Sequence, residues 1–183
     1  MLVREVIMQA AQVLGIEKGI LSYLDGDDEI YEKDLKQLLG CFHGVECSLA
    51  LNYLPLYAED TLHTTTGRIE YESLRYSPVR IISVTDEQGN PVPYTLYPTY
   101  IKLKAGTWKV TYTYTPMEKG VGEECDFTLL VSDRMLVYGV LAEYCLAEGR
   151  YEDAAEWDKK YKAEIESIFR KRTCQRISSR RWV

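Results

Sequence analysis

Hydrophobic residues recur at helical spacing in the first third of the chain. The clearest stripe alternates steps of four and three residues, and its members are Tyr31, Leu35, Leu38, Phe42, Val45 and Leu49. That spacing predicts one amphipathic helix. We expect a cap at Asp27 or Asp28 and an end near Tyr53, because Pro55 disfavours helical backbone in the residue before it. Within this helix, Gly40 and Gly44 mark either a close approach of another backbone or a bend.

Shorter helical patterns precede and follow this stripe. A helix is predicted over residues 2–14, and a helical turn or short helix over 18–25. After residue 131, Ser132 or Asp133 is positioned to cap a helix that stops near Gly149. The last helix has an apolar stripe made of Trp157, Tyr161, Ile165, Ile168 and Phe169.

The middle of the chain has the two-residue period of β-strands. One set of residues alternates with lysine and threonine, and it consists of Trp108, Val110, Tyr112 and Tyr114. All six prolines lie between residues 55 and 116, twelve of thirteen threonines lie between 61 and 128, and only two of ten alanines fall in 56–131. Threonine and aromatic residues favour strands, whereas alanine favours helices. We therefore predict six to eight short strands over 56–131, folded as an antiparallel sandwich or barrel.

The order of these patterns predicts an α+β protein with an inserted domain. Residues 1–55 form one part of a helical bundle, and residues 132–169 form a helical hairpin that completes it. The inserted β domain comprises residues 56–131, and residues 170–183 are a basic C-terminal tail. Neither helical flank alone makes a convincing bundle, so we expect the two flanks to pack together.

Size and composition restrict the function classes. The chain has 183 residues, of which 46% are hydrophobic and 27% are charged, as in ordinary globular proteins. No apolar stretch is long enough to cross a membrane, and the first residues lack a signal-peptide pattern. We therefore expect synthesis in the cytoplasm, no membrane association, and reduced cysteines.

Catalytic motifs are missing from the sequence. The only histidines, His43 and His63, have no serine or cysteine nucleophile at an informative spacing, and there is no glycine-rich phosphate loop. Cys41, His43 and Cys47 resemble a metal-ligand cluster, but helical rotation separates the first two by about 200°. We predict no enzymatic activity, no metal and no cofactor.

The charge is segregated along the chain. The net charge is −6, yet the last fourteen residues hold six cations and no acid. The cations are Arg170, Lys171, Arg172, Arg176, Arg180 and Arg181, and Ile177 and Trp182 lie among them. Basic tails are usually solvated, or they bind nucleic acid or acidic proteins. The apolar residues among the cations favour docking into a protein groove over attraction to phosphates alone.

The arrangement resembles the head–tail adaptor (connector) proteins of tailed bacteriophages. The resemblance rests on the helical frame, the inserted strands within 76–86 and 106–112, the hairpin 146–165 and the arginine-rich end. It implies a structural protein of the virion neck, made in the host cytoplasm. Such proteins form rings, usually of twelve copies, below the portal, and their C-terminal segments commonly reach into the portal ring. It also implies a downstream neck or tail partner, and encapsidated DNA that passes through without sequence-specific binding.

Two other classes remain open. The first is a non-enzymatic carbohydrate- or peptide-binding β-module on a helical scaffold, in which Tyr94, Tyr97 and Tyr100 form a sugar platform. Strand packing explains these tyrosines equally well. The second is a nucleic-acid binder that acts through the tail, which the acidic body disfavours.

Overall fold

The part of the chain that the structure describes has a mixed α+β fold with five α-helices, one short 3-10 helix (Tyr71–Ser73) and two small antiparallel sheets. The computed structural model describes residues 1–26 and 31–172, and side chains up to residue 170. It divides into two compact units. The helical unit comprises Met1–Val45 and Glu118–Val183, and the β unit comprises Glu46–Met117.

The helices follow the predicted order. Their bounds are α1 Val3–Leu14, α2 Glu17–Leu24, α3 Glu32–Asn52, α4 Asp133–Ala147 and α5 Tyr151–Arg172. The stripe of α3 is confirmed, because its five residues from Leu35 to Leu49 are buried and Tyr31 is half-buried. The predicted cap of α4 is also observed, since the Ser132 hydroxyl accepts a hydrogen bond from the Met135 amide (3.3 Å). The predicted caps of α3, Asp27 and Asp28, lie outside the described residues.

Main-chain carbonyl groups of a distant loop cap the first helix. The amide of Val3 donates to the carbonyl of Glu123 (2.9 Å), and the amide of Arg4 donates to that of Val121 (3.0 Å). These two amides belong to the first turn of α1, where no intrahelical acceptor is available. At the other end, Gly15 adopts the left-handed conformation (φ 78°) that ends a helix. Residues 118–131 thus supply the hydrogen-bond acceptors for the first turn of α1.

The loop 118–131 groups with the helical unit, although composition assigned it to the β-rich segment. It contains no strand, and its one bridge pairs Glu124 with Leu2. Cys125 and Phe127 are buried and anchor the loop. The hydrogen bonds of this segment go to α1 and to its own turns, which is why it forms no sheet.

Close helix packing occurs at Gly139 of α4. A methyl group built there would lie 2.8 Å from Cγ1 of Val45 and 3.1 Å from Cε2 of Tyr161, so the neighbouring helices pack directly against its backbone. At Gly40 and Gly44, no atom of the described residues other than the nearby backbone of α3 itself lies within 4 Å of such a methyl group. These two glycines of α3 therefore do not mediate a close approach.

The β unit contains six strands. The first sheet has the order β1-β6-β3, formed by Leu56–Thr64, Gly106–Tyr114 and Pro78–Thr85. The second has the order β2-β5-β4, formed by Arg68–Glu70, Tyr100–Lys102 and Thr95–Leu96. All pairs are antiparallel. Each sheet has three strands and neither closes on itself, so the described residues form no barrel.

One hydrophobic core serves both sheets. Its buried members are Ile69, Leu74, Ile81, Val84, Ile101, Val110 and Tyr112. Tyr112, on the central strand β6, also brings a hydrogen-bonding hydroxyl group into this core. Its hydroxyl donates to Oδ2 of Asp60 (2.7 Å) and accepts from the amide of Tyr76 (3.1 Å). The same Asp60 oxygen accepts from the amide of Arg75 (2.8 Å), so the network ties the segment before β3 to β1.

Candidate functional site

The predicted docking tail begins at the end of α5. Arg170 lies in the last turns of this helix and forms an exposed ion pair with Glu166 (3.1 Å). Lys171 and Arg172 complete the helix backbone. Cations at a helix C-terminus are favourable because they oppose the negative end of the macrodipole. The remaining predicted tail residues lie outside the described residues, and they are Arg176, Ile177, Arg180, Arg181 and Trp182.

The apolar stripe of α5 becomes less covered toward the tail. Tyr161 and Ile165 are buried, Ile168 is half-buried, and Phe169 is exposed, at 37% of its full surface. Phe169 directly precedes the first cation of the tail, Arg170.

A turn before α4 adds further apolar surface. The amides of Leu130 and Val131 donate to the carbonyl of Phe127 (2.8 and 3.1 Å), and the Phe127 side chain is fully buried. This turn leaves the side chain of Leu129 outside the core, with 96% of its surface exposed. An apolar side chain so exposed on a hydrogen-bonded turn is suited to contact a partner.

The turn before α4 and the last turns of α5 border one open cavity. Leu129, Leu130, Val131, Ser132, Glu164, Ser167 and Ile168 line a space of about 540 Å³. We call Leu129, Leu130, Ile168 and Phe169 the α5-end patch. The sequence pattern placed Ile168 and Phe169 on the apolar stripe of the last helix and did not indicate Leu129 or Leu130. The available signal was three consecutive apolar residues, 129–131, directly before a helix cap.

The three tyrosines of the alternative sugar platform differ in what they contact. Tyr94 packs against the β core. Tyr97 and Tyr100 stack on each other with ring centroids 4.6 Å apart, and the guanidinium of Arg68 lies over the Tyr100 ring at 4.8 Å. Tyr97 and Arg68 therefore both contact the Tyr100 ring.

The two histidines lie on different elements, His43 on α3 and His63 on β1. His63 Nδ1 is 3.0 Å from the hydroxyl of Thr107 on the neighbouring strand. His43 lines a cavity of about 320 Å³ together with Lys36 and Lys119. Burial raises the pKa of Cys41 to about 11, and nearby Glu143 contributes, so this thiol is protonated at neutral pH.

The described part of the chain contains no three His, Cys, Asp or Glu side chains grouped to hold a metal ion. Within the same ranges, none of the helices combines the length and the apolar content that crossing a bilayer requires. No protein-family model matches the chain, and no curated protein sequence matches it significantly.

Proposed function

We propose that the chain is a head–tail adaptor of a tailed bacteriophage. In this role it is a structural protein of the virion neck that forms a ring, usually of twelve copies, below the portal. The ring extends the DNA channel toward a downstream neck or tail protein. The observation that carries the proposal is the run of six cations without an acid that follows the exposed α5-end patch.

The proposed architecture is a helical bundle that carries an inserted β-sandwich. Two features support it. The helical unit is assembled from two separate stretches of sequence, on either side of the β unit. The two sheets of the β unit share a single core, as the layers of a sandwich do.

Docking to the portal combines charge with apolar contact. An exposed ion pair contributes only about 0–1 kcal/mol, so arginines alone would not hold one copy on an acidic surface. Burial of a tryptophan side chain adds a contribution that salt does not screen. A ring repeats this contact in every copy, and the repetition makes weak individual docking strong.

The acidic body suits a channel for DNA. Apart from the tail, the chain carries a net charge of −12. Like charges repel, so such a surface does not retain the phosphate backbone. DNA then passes without sequence-specific contacts.

A head-joining assay with purified portal-bearing heads tests the proposal. A variant lacking residues 174–183 should stay folded and fail to join. Trp182→Ala should weaken joining more than any single arginine substitution, and high salt should weaken the wild type only partly. Leu129→Ser in the α5-end patch should also weaken joining.

Val13→Ser is the matched control for the patch, because Val13 is an exposed apolar residue of α1. It should join like the wild type. Normal joining by the deletion variant would assign docking to another surface, most plausibly the β unit, and would remove the main support for the proposal.

A further inference from the structure

The second sheet of the β unit has a buried face and an exposed face. Ile69 of β2 and Ile101 of β5 pair with each other and are buried in the core. Successive side chains of a strand point to opposite faces, so the residues on either side of these two isoleucines lie on the exposed face. Tyr97 joins this face by stacking on Tyr100. We call it the outer face, and it consists of Arg68, Glu70, Tyr97, Tyr100 and Lys102.

Two cations lie directly opposite each other on the outer face. Arg68 of β2 pairs with Lys102 of β5 in the strand register. Side chains in such positions have Cβ atoms about 4.5–5.5 Å apart, and like charges there destabilise a sheet. Both residues are exposed, and neither forms a salt bridge within the described residues. A bound anion would offset the repulsion between them.

The position of Arg68 suits a planar carboxylate. Its guanidinium lies over the ring of Tyr100, 4.8 Å from the ring centroid. The N–H donors at the edge of a guanidinium match the two oxygens of a carboxylate, and Lys102 adds a second positive charge. The β unit as a whole does not repel an anion strongly, because Glu46–Met117 contains six cations and seven acids.

The second row of the outer face favours a sugar over other anionic ligands. Glu70 lies opposite Tyr100 in the register, and Tyr97 is 38% exposed. The C–H face of a sugar ring is apolar and packs against an aromatic ring, and sugar hydroxyls donate hydrogen bonds to a carboxylate. Nucleic acids and acidic peptides would instead bring further negative charges close to Glu70.

The edges of the second sheet are poor templates for an added peptide strand. At β2, the Thr64 hydroxyl donates to the carbonyl of Arg68 (2.7 Å) and accepts from its amide (3.1 Å). At β4, Pro93 and Pro98 lie on either side of the two-residue strand, and proline has no amide hydrogen to donate. A ligand of this sheet therefore binds through the side chains of its outer face.

We propose that the outer face binds an acidic saccharide, that is, a sugar chain that carries carboxylates. Arg68 and Lys102 bind a carboxylate, Tyr97 packs against a sugar ring, and Glu70 accepts a hydrogen bond from a hydroxyl. Three strands of up to three residues cover about 10 Å by 10 Å. This area fits one or two sugar rings and is far smaller than the roughly 800 Å² that each partner buries in a typical protein interface.

This binding goes beyond the proposed function, because it involves neither the tail nor the α5-end patch. Isothermal titration calorimetry of the full-length chain tests it, with oligogalacturonate and oligosialate as probes. The wild type should bind at least one of them, and added salt should weaken the binding. The methyl ester of the bound saccharide has the same rings without the charge. It should bind at least about tenfold more weakly, because the charge-assisted hydrogen bonds are lost.

Variants of the outer face locate the site. Arg68→Gln and Lys102→Gln should each lower the association constant by about tenfold or more, and Tyr97→Ser by about two- to tenfold. Arg80→Gln is the matched control, because Arg80 is an exposed cation of β3 in the other sheet, and it should bind like the wild type. Lys102→Gln removes one of two opposing charges, so it should unfold no more readily than the wild type.

Three results would overturn the proposal. The first is a wild type that binds neither saccharide at millimolar concentration. The second is unchanged binding by both Arg68→Gln and Lys102→Gln, which would assign the saccharide to another surface. The third is tighter binding of single-stranded oligo-dT or of an oligoglutamate peptide than of either saccharide, which would assign the outer face to a nucleic acid or to an acidic protein.

Discussion

The Tyr112 hydroxyl offers a direct test of what stabilises the β unit. Replacing Tyr112 with phenylalanine removes one oxygen from a fully buried position and leaves the ring in place. The carboxylate of Asp60 loses one donor but keeps the amide of Arg75 (2.8 Å). The amide of Tyr76 loses its acceptor in this network.

The expected loss of stability is about 2 kcal/mol. A hydrogen bond to a charged group contributes about 1.5–3 kcal/mol, and an amide left without its acceptor adds to the cost when it is shielded from water. Asp60 is only half-buried, so water replaces part of the lost interaction. This places the estimate near the middle of the range of about 1–3 kcal/mol.

The same hydroxyl makes the stability depend on pH. Burial, together with the hydrogen bond to Asp60, raises the pKa of Tyr112 from its ordinary value of 10 to about 12. The phenol is protonated in folded and unfolded chains below pH 10, where its contribution is complete. Above pH 10 the unfolded chain ionises first, and the contribution is lost as the pH rises toward 12. The phenylalanine variant lacks this loss, so the stability difference should narrow over that range.

Urea unfolding of chains labelled with 5-fluorotryptophan measures the effect. Fluorine NMR separates Trp108, which packs against the β core, from the other two tryptophans. Tyr57→Phe is the control, because Tyr57 is an exposed residue of β1, and a change within about 0.5 kcal/mol is expected. Equal stability of the two variants at pH 8 would contradict the role of the network. A difference that stays constant between pH 10 and 12 would contradict the argument about the pKa.

Two further predictions concern the helical unit. Gly139→Ala should lower the free energy of unfolding by about 1–3 kcal/mol, because the methyl group has no room beside Val45. Gly44→Ala should leave the free energy of unfolding unchanged or raise it by up to about 1 kcal/mol. Thermal unfolding of both variants tests this, and equal effects would refute the packing argument. Since the pKa of Cys41 is raised to about 11, its reaction with iodoacetamide at pH 8 should be much slower than that of free cysteine and should accelerate up to pH 11. Mass spectrometry of the alkylated peptide measures this, and rapid labelling at pH 8 would contradict a half-buried, protonated thiol.

Periodic patterns in the sequence predicted the elements that bury one face. The stripe of α3 and the alternation along β6 follow directly from the geometry of helix and strand, and the burial of Leu38 and Val110 confirms them. The ends of these elements were also predictable where a local signal exists, as with Gly15 and Ser132. Such features depend on neighbours in sequence.

Features that depend on distant residues could not be predicted. The two carbonyl groups that cap α1 belong to main chain, and main chain has no side-chain signature. Whether Gly44 or Gly139 faces a neighbouring helix depends on tertiary packing. The position of Arg68 over Tyr100 follows from the pairing of β2 with β5.

Only part of the candidate site was accessible from the sequence. The tail could be identified from the sequence, because the net charge of a segment is a sum over its residues and does not depend on the fold. The exposure of Leu129 was not accessible, since composition alone assigns an apolar residue to the core.

The capping of α1 by residues 121 and 123 has a consequence for the order of events on the ribosome. The first helix is synthesised more than one hundred residues before the carbonyl groups that complete its first turn. By then, all six strands have been made, and each pairs only with others of the Glu46–Met117 unit. The β unit is thus the first to have all of its strand pairings available, whereas α1 still lacks the carbonyl groups that cap its first turn. Pulse-labelled nascent chains halted after residue 117 should expose α1 to protease and protect the strands.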